Sequence, residues 1–362
     1  MKTKAMVLRE FCQPLEIAEI EIPVLAEGQV LIKLAAAGVC GSDVHISKGE
    51  DPRTPLPIIL GHEGVGTVIE VKGNKQTLFG EVLRPGDLVM WNRGLTCGGC
   101  YYCTILNQPW LCIQRKTYGI NRSLLEAPQL NGCYADHIIL TANTDIFKLE
   151  GITDPAVFVS ASCSGATVAH AFDLHEVKFG DTVLVQGPGP LGVYASAYAK
   201  RMGAAEVFVI GGTQSRLELC KEFGATMLLN RKTMSAEERC QAIMDKTDGR
   251  GVDVIIEAVG DPAAVREGLN LLRFGGAYLS VGFSQPPGEC QVDFFREVVR
   301  KNAKIQGVWV SGAKHTWQSI QLVKENQEAF AKMVTHRFAL EDANKALEVM
   351  ENRQALKAVL IP

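Results

Sequence analysis

The chain has 362 residues and a formal net charge of −3, with 47% hydrophobic and 21% charged residues. This length predicts two domains, each able to bury its own core, and the charge argues against a nucleic-acid partner, which requires a basic excess. Neither an apolar leader after Met1 nor a run of roughly 20 apolar residues is present, so we expect a cytoplasmic protein with no membrane partner.

Short β-branched runs separated by turn residues fill the first part of the chain. Examples are residues 30–34, 66–71 and 87–90. Several short strands joined by turns are typical of an irregular β-barrel or β-sandwich. We therefore predict a β-rich first domain.

Four cysteines are concentrated in one short stretch, at Cys97, Cys100, Cys103 and Cys112. Two consecutive C-x2-C steps let thiolates converge on one ion at Zn–S distances of ~2.3 Å, and a short excursion returns the fourth sulfur. A disulfide framework fits poorly, because the total of 11 cysteines is odd and no secretory signal precedes them. The spacing predicts a closed structural zinc site.

From about Asp181 short apolar runs alternate with longer helical stretches. The predicted strands cover residues 182–185, 207–210, 227–229, 252–256, 277–281 and 305–310. The predicted helices between them cover residues 193–202, 216–223, 236–247 and 263–272. Buried strands with helical crossovers are typical of a doubly wound parallel sheet, so the fold class is α/β with six strands in this sheet. Two amphipathic helices, at 316–330 and 340–352, and a strand at 355–361 complete the prediction.

A G-x-G-x-x-G motif follows the first strand of that sheet and opens a helix. Gly187 permits the tight turn, Gly189 lets a pyrophosphate approach the backbone, and Gly192 lets the helix pack closely on the strand. Pro190 and Leu191 belong to the first turn of the helix, where free N–H groups and the helix dipole favour phosphate. Strand, motif and helix occur in the required order, which predicts a dinucleotide-binding site.

The end of the second strand lacks the acidic residue that binds the ribose hydroxyls in NAD enzymes. Gly211 stands there instead, followed by Thr213, Ser215 and Arg216 as possible donors to a 2′-phosphate. The other interpretation is that Arg216 only begins the next helix and that backbone groups hold the ribose. We therefore predict NAD(P), with a slight preference for NADP.

Three further segments carry potential metal ligands: GVCGSDVH at 38–45, GHEGVG at 61–66 and SCSGAT at 162–167. With the four-cysteine lobe and the glycine motif, they occur in the same order as in the zinc-dependent medium-chain alcohol dehydrogenases, which the chain resembles along its whole length. The resemblance implies a GroES-like catalytic domain over residues 1–164, a Rossmann domain over 165–309 and a return to the catalytic domain over 310–362. It also implies two zinc ions per chain, one catalytic and one structural.

The resemblance implies a metal-ligand set as well. Transferred by position, Cys40, His62 and Cys163 hold the catalytic zinc and leave its fourth position to water or substrate. Glu63 lies behind the metal and transiently replaces the water. Asp43 accepts from the outer nitrogen of His62 and fixes its tautomer.

Further roles follow from the same resemblance. Ser42 bonds the alcohol oxygen, His45 passes the proton to solvent, and Lys357 contacts the pyrophosphate. Zinc acts as a Lewis acid while hydride passes to or from the nicotinamide, so an alcohol, secondary or cyclic, interconverts with its ketone or aldehyde. In relatives the last Rossmann strand, here within residues 305–310, pairs with its twin, which implies a homodimer or homotetramer.

Some residues keep alternative interpretations. Taken alone, Cys163 is as readily a buried apolar thiol and His45 a surface histidine, while Asp154 before a proline is typical of a helix cap. Arg93, in the unusual stretch WNRG, either contacts a polar substrate or, as we favour, bonds backbone carbonyls of the cysteine lobe. Cys103 and Cys112 are one residue further apart than is usual in the family, which predicts a bulge near residues 107–110.

Three other functions compete with the dehydrogenase. A zinc-free quinone or enone reductase and a non-catalytic dinucleotide sensor are both disfavoured by the presence of Cys40, His62, Glu63 and Cys163. A zinc-ribbon nucleic-acid module is disfavoured by the net charge and by the lack of a basic, aromatic stripe.

Overall fold

The computed structural model describes residues 1–283 and 288–362. The chain folds as two compact units, one made of Met1–Ala166 with Ser311–Pro362 and the other of Thr167–Val310. Within the described part of the chain, no helix is both long enough and apolar enough to cross a membrane.

The first unit begins with short strands and two short helices. The strands are β1 (Lys2–Leu8), β2 (Glu16–Glu21), β3 (Val30–Val39), β4 (Ile58–Ile59), β5 (Glu63–Val71), β6 (Leu88–Trp91), β7 (Gly94–Leu95), β8 (Lys116–Thr117), β9 (His137–Leu140) and β10 (Ile146–Lys148). The helices are α1 (Gly41–Ser47) and α2 (Tyr101–Thr104).

Strands and helices alternate in the middle of the chain. The elements are α3 (Ser164–Leu174), β11 (Thr182–Gln186), α4 (Pro190–Met202), β12 (Glu206–Gly211), α5 (Gln214–Glu222), β13 (Met227–Asn230), α6 (Ala236–Lys246), β14 (Val252–Glu257), α7 (Pro262–Leu271), β15 (Leu272–Ser280) and β16 (Lys304–Gly307). The C-terminal part contributes α8 (Ala313–Glu325), α9 (Gln327–Ala331), β17 (Val334–Ala339), α10 (Ala343–Glu351) and β18 (Lys357–Ile361).

Strand β3 is the centre of the first unit, because it pairs antiparallel with β5, β9 and β18. Most of its side chains are buried, as expected for a strand inside a sheet. Gly38 near its end pairs with Glu63, and Val39 pairs with Ala358. The end of β3 and the beginnings of β5 and β18 therefore meet at one place in the sheet.

The second unit contains a parallel sheet whose described strands run in the order β13-β12-β11-β14-β15-β16. Strands β11 and β12 are buried almost throughout, since helices cover both faces of such a sheet. This order confirms the predicted α/β class with a doubly wound sheet of six strands.

The structure differs from the predicted elements in the C-terminal part and at β16. The helix predicted at 316–330 is interrupted at Asn326, whose φ of −145° and ψ of 52° are not helical. Strand β17, whose residues alternate between half-buried and exposed, was not predicted. The run at 305–310 was expected to be buried on both faces, yet Ile305 and Trp309 are about half exposed because β16 lies at the sheet edge.

Candidate active site

Four side chains from three separate segments converge in the first unit: Cys40, His62, Glu63 and Cys163. Cys40 lies between β3 and α1, His62 and Glu63 begin β5, and Cys163 immediately precedes α3. One potential ligand atom from each lies within 4.8 Å of every other. We call this set the metal cluster. The pairing of β3 with β5 explains why residues distant in sequence meet here.

Asp43 orients the histidine of the metal cluster. Its Oδ1 lies 3.2 Å from His62 Nδ1, and its Oδ2 accepts from the Cys40 backbone N–H at 2.8 Å. Among the described residues, the buried Nε2 of His62 has no hydrogen-bond partner. A buried polar atom without a partner is costly, and a thiolate–imidazole set is one that zinc prefers. The cluster therefore fits a zinc ion, with Asp43 fixing the histidine tautomer.

The pKa values of the cluster reflect its burial and its mutual contacts. A hydrogen bond from Cys163 lowers the pKa of Cys40 well below its ordinary value, and the shared proton raises the pKa of Cys163. Burial alone would lower the pKa of His62, but Asp43 and Cys40 outweigh it and raise this pKa to about 9. Without metal, the cluster therefore holds protons that a bound cation must displace.

Glu63 is paired with Lys357, the first residue of β18. Lys357 Nζ lies 2.5 Å from Glu63 Oε2 and donates to the Val39 carbonyl at 3.2 Å, and both side chains are almost completely buried. Burial raises the pKa of Glu63 despite the opposing charge of Lys357. This placement differs from the expected pyrophosphate contact, because an ammonium enclosed by Glu63 and the Val39 carbonyl is not presented to a ligand.

Ser42 and His45 lie on α1 at different distances from the metal cluster. Ser42 Oγ is 3.9 Å from Cys40 Sγ, so this hydroxyl lies at the edge of the cluster. His45 is partly exposed, and its Nδ1 lies 2.5 Å from Glu50 Oε2. The structure thus brings Ser42 to the cluster and places His45 toward solvent. Asp154 caps the turn Pro155–Val157 through the Ala156 N–H, as the capping interpretation predicts.

Arg93 does not make the contact with the cysteine lobe that we favoured from the sequence. Its guanidinium does not bond carbonyls of the cysteine lobe in the described structure; Nη1 lies 3.0 Å from Cys163 Sγ. The side chain is buried, with 6% of the residue exposed. Its sequence position beside the lobe gave no signal of this contact, because Cys163 lies 70 residues away.

The four lobe cysteines form a second group whose sulfur atoms lie within 4.8 Å of one another. Cys100 Sγ and Cys103 Sγ are 3.5 Å apart, close to the roughly 3.8 Å that tetrahedral Zn–S bonds of ~2.3 Å require. A hydrogen bond from the Cys103 backbone lowers the pKa of Cys100 to about 6. The extra residue between Cys103 and Cys112 falls in the segment where a bulge was predicted. In that segment Asn107 has a φ of 52°, and Pro109–Leu111 form a turn.

The glycine motif of the second unit has the geometry of a phosphate-binding turn. Gly187 has φ of 100°, Gly189 caps α4, and Pro190 is its first residue, followed by Leu191. A Cβ on Gly192 would lie 1.9 Å from the Gly187 carbonyl oxygen, so only glycine allows this approach of helix and strand. The N-terminus of α4 therefore presents backbone N–H groups beside the end of β11.

The end of β12 carries the residues expected at a ribose site, and one cation that sequence reasoning missed. Gly211 ends β12, Thr213 caps α5, and Arg216 lies in its first turn. A Cβ on Gly212 would lie 3.0 Å from Arg231 Nε, and the Arg231 N–H donates to the Gly211 carbonyl. Arg231 follows β13, so only the parallel pairing of β12 with β13 brings it here.

Comparison with known proteins identifies the family. The alcohol dehydrogenase GroES-like domain matches residues 26–154, and the zinc-binding dehydrogenase family matches residues 190–325. The chain is 32% identical to 5-exo-hydroxycamphor dehydrogenase of Pseudomonas putida over 94% of each chain. It is 30% identical to L-threonine 3-dehydrogenase of Bacillus subtilis over 100% of this chain and 99% of that one.

A solved structure extends the match. An alcohol dehydrogenase from Thermotoga maritima superposes with a TM-score of 0.98 at 50% identity, over 100% of both chains. The predicted GroES-like and Rossmann folds are thereby confirmed. The chain belongs to the zinc-containing medium-chain alcohol dehydrogenase family, and it is an oxidoreductase whose cofactors are zinc and NAD(P).

Proposed function

We propose that the protein interconverts a secondary alcohol and its ketone by hydride transfer to or from NAD(P). The observation that carries the proposal is the metal cluster, in which His62 Nε2 is buried without a hydrogen-bond partner among the described residues. Cys40, His62 and Cys163 would hold the catalytic zinc, with Glu63 in the same cluster. The four lobe cysteines hold the structural zinc.

Zinc bound at the cluster supplies Lewis acidity that lowers the pKa of an alcohol. The chain supplies orientation and a route for the proton. Asp43 keeps Nδ1 of His62 engaged, so that Nε2 is the nitrogen available to the ion. Ser42, at the edge of the cluster, accepts the hydroxyl proton of the substrate. His45, partly exposed beside Glu50, releases that proton to solvent.

The cofactor is held by the second unit. Gly187, Gly189, Pro190, Leu191 and Gly192 form the pyrophosphate turn. Gly211, Thr213 and Arg216 would hold the ribose, and without a carboxylate at the end of β12 nothing there would repel a 2′-phosphate.

The preference for a secondary alcohol rests on the relatives. One is named for 5-exo-hydroxycamphor and another for the 3-position of L-threonine, and both of these hydroxyl groups are secondary. A matched protein from Thermotoga maritima is named only as an alcohol dehydrogenase. A cyclic substrate is a narrower possibility within the same class.

The test measures zinc and turnover together. Purified protein should hold two zinc ions per chain, and Cys40→Ala should lose one ion and nearly all oxidation of secondary alcohols with either NAD or NADP. Cys133→Ala is the matched control, because Cys133 is also a buried thiol of the first unit but lies outside both cysteine groups. Full activity in Cys40→Ala would contradict the catalytic assignment.

The structural zinc site is tested through thermal stability as well as zinc content. Cys100→Ala should lose the other ion and lower the thermal midpoint, because the lobe depends on its metal for folding. A Cys100→Ala protein that kept both ions would show that the four cysteines do not hold zinc.

A further inference from the structure

Two arginines next to the metal cluster have no role in the proposed function so far. Arg93 immediately precedes β7, and Arg115 immediately precedes β8. The two strands pair antiparallel, with Gly94 opposite Thr117. This two-stranded ladder brings both guanidinium groups to the same part of the first unit.

Both guanidinium groups contain buried N–H groups that the protein does not use. Arg93 contacts Cys163 Sγ through Nη1, yet its Nε has no hydrogen-bond partner among the described residues. Arg115 donates to Thr117 Oγ1 through Nη1 at 2.8 Å, and its Nε and Nη2 likewise have none. A Cβ on Gly94 would lie 2.2 Å from Arg115 Nη2, so the glycine makes the space that this guanidinium occupies.

The charge of the pair is not balanced by carboxylates. Within residues 1–283 and 288–362, neither Arg93 nor Arg115 forms an ion pair with Asp or Glu, whereas the nearby Arg53 is paired with Asp51. The charges at the metal cluster largely offset one another, whereas four lobe thiolates around one divalent ion leave a net negative charge, and Cys112 of the lobe lies near Arg115. Two thiolates offset a divalent ion and Glu63 offsets Lys357, so Asp43 is the remaining carboxylate in contact with the cluster.

Both guanidinium groups are therefore buried without a carboxylate partner among the described residues, and three of their nitrogens lack any acceptor there. Removing such a charge from water is expensive unless a partner binds it. The planar guanidinium group of arginine matches the two oxygens of a carboxylate and binds them through charge-assisted hydrogen bonds.

We propose that Arg93 and Arg115 bind a carboxylate of the substrate, so that the alcohol oxidised by this protein is a hydroxy acid. This inference rests on the proposed function, since it names the substrate class of the same site. Because Arg93 contacts a thiol of the metal cluster, the carboxylate lies close to the reacting carbon, as in a 2- or 3-hydroxy acid. The carbinol C–H bond breaks, hydride passes to NAD(P)+, the hydroxyl proton leaves to solvent, and a keto acid forms.

The test compares each hydroxy acid with a neutral alcohol of similar shape. The pairs are 3-hydroxybutyrate with 4-methyl-2-pentanol, and lactate with 3-methyl-2-butanol. For at least one pair, the zinc-loaded protein should prefer the acid by roughly tenfold or more in kcat/KM. Arg93→Gln and Arg115→Gln should each lower the acid-to-alcohol ratio of kcat/KM by roughly 30- to 100-fold, mainly through KM, because a buried charge loses its partner.

A control and a binding measurement separate this role from a structural one. Lys116→Gln removes an exposed cation of the same ladder, which is paired with Glu126, and should leave the ratio unchanged. Zinc content should stay at the wild-type value in both arginine variants. Calorimetry of the protein loaded with zinc and cofactor should show millimolar or tighter binding of at least one of the two acids, and this binding should weaken in both variants.

The possible results distinguish a failure of the carboxylate site from a failure of the proposed reaction. A wild-type preference for the alcohol in both pairs, an unchanged ratio in the arginine variants, or no binding of either acid would overturn the carboxylate site. If calorimetry shows arginine-dependent binding of an acid but neither member of any pair is oxidised, the carboxylate site stands and the proposed reaction fails.

Discussion

The Glu63 carboxylate and the Lys357 ammonium are both enclosed in the first unit, with 0% and 1% of their side chains exposed. A buried pair contributes little net stability compared with apolar residues, but removing one partner leaves an uncompensated charge. The energetic importance of the pair therefore appears only when it is broken.

We expect Lys357→Met to lower the free energy of unfolding by about 3–5 kcal/mol, because Glu63 then stays buried without its counter-charge. Denaturant unfolding of the zinc-loaded protein measures this change. The double variant with Glu63→Gln should recover more than half of the loss. A double variant as unstable as Lys357→Met alone would show that packing of the lysine chain, not charge, causes the effect.

His62 makes zinc binding at the metal cluster depend on pH. Its pKa is raised to about 9 in the metal-free protein by Asp43 and Cys40, against burial, so the imidazole is protonated at neutral pH. Zinc binds the neutral imidazole, and the proton must leave. The apparent zinc affinity should therefore rise from neutral pH through about 9, by up to about tenfold per pH unit for each displaced proton. Above pH 9 it should rise less steeply, because the Cys163 thiol, whose pKa is raised, still holds a proton that zinc must displace.

Competition with a chromophoric chelator measures this dependence on metal-free protein. Asp43→Asn is the informative variant, because it removes the charge that keeps His62 protonated. In this variant the rise of zinc affinity with pH should occur at lower pH. The affinity at high pH should be lower than in the wild type, because His62 is no longer oriented by the carboxylate. An affinity independent of pH in the wild type would contradict the raised pKa.

Among the elements, the proposed ribose site lies at the ends of two neighbouring strands rather than within one motif. Arg231, after β13, lies over Gly212, after β12. In the described structure Arg231 has no ion pair with a carboxylate, and its side chain is exposed. A 2′-phosphate is the part of NADP that such a cation would bind.

Arg231→Gln should therefore weaken NADP binding by about 1.5–3 kcal/mol, the range for hydrogen bonds to charged groups, with little effect on NAD. Fluorescence titration of both cofactors measures the difference, and Lys232→Gln tests for a general effect of surface charge. We prefer this variant to a substitution of Gly211, because a Cβ there would lie 2.4 Å from Pro188 Cγ and would disturb both cofactors alike. Equal losses for NAD and NADP in Arg231→Gln would place the arginine away from the 2′ group.

Elements with strong hydrophobic periodicity or with a characteristic turn motif were predictable from the sequence. The doubly wound sheet was identified because short apolar strands alternate with longer helical stretches, and α4 begins within the glycine motif, at Pro190. Strand β17 was missed because its short alternating run, VTHRFA, has few apolar residues. The contacts of Arg231 and Lys357 were not predictable, since each depends on strand pairing between distant segments. The Arg93 contact was not predictable either, because Cys163 lies 70 residues away.

For the molecule as a whole, the main feature is the outer edge of β16, with which no strand pairs among the described residues. The Val308 N–H donates inward to the Ser280 carbonyl, so by strand alternation Ile305 and Gly307 direct their backbone groups to the open edge. Ile305 is 48% exposed and Trp309 47% exposed. An exposed apolar strand edge promotes aggregation unless another strand covers it.

We expect this edge to pair with its twin across a two-fold axis, so that the protein is at least a dimer in solution. Ile305→Pro removes an outward-facing N–H and should yield monomers by sedimentation, while Ile305→Thr keeps the N–H and should remain associated. Val308→Pro is not a suitable test, because its N–H belongs to the inner ladder. A wild-type monomer at micromolar concentration would rule out the shared edge.

The pairing of Lys357 with Glu63 also has a consequence for the order of events during synthesis. Lys357 lies five positions before Pro362, on the strand β18 that pairs with β3. A growing chain that already contains Cys40, His62, Glu63 and Cys163 thus still lacks the cation that neutralises this carboxylate. The metal cluster therefore reaches its final charge state only after residue 357 has been synthesised and β18 has paired with β3.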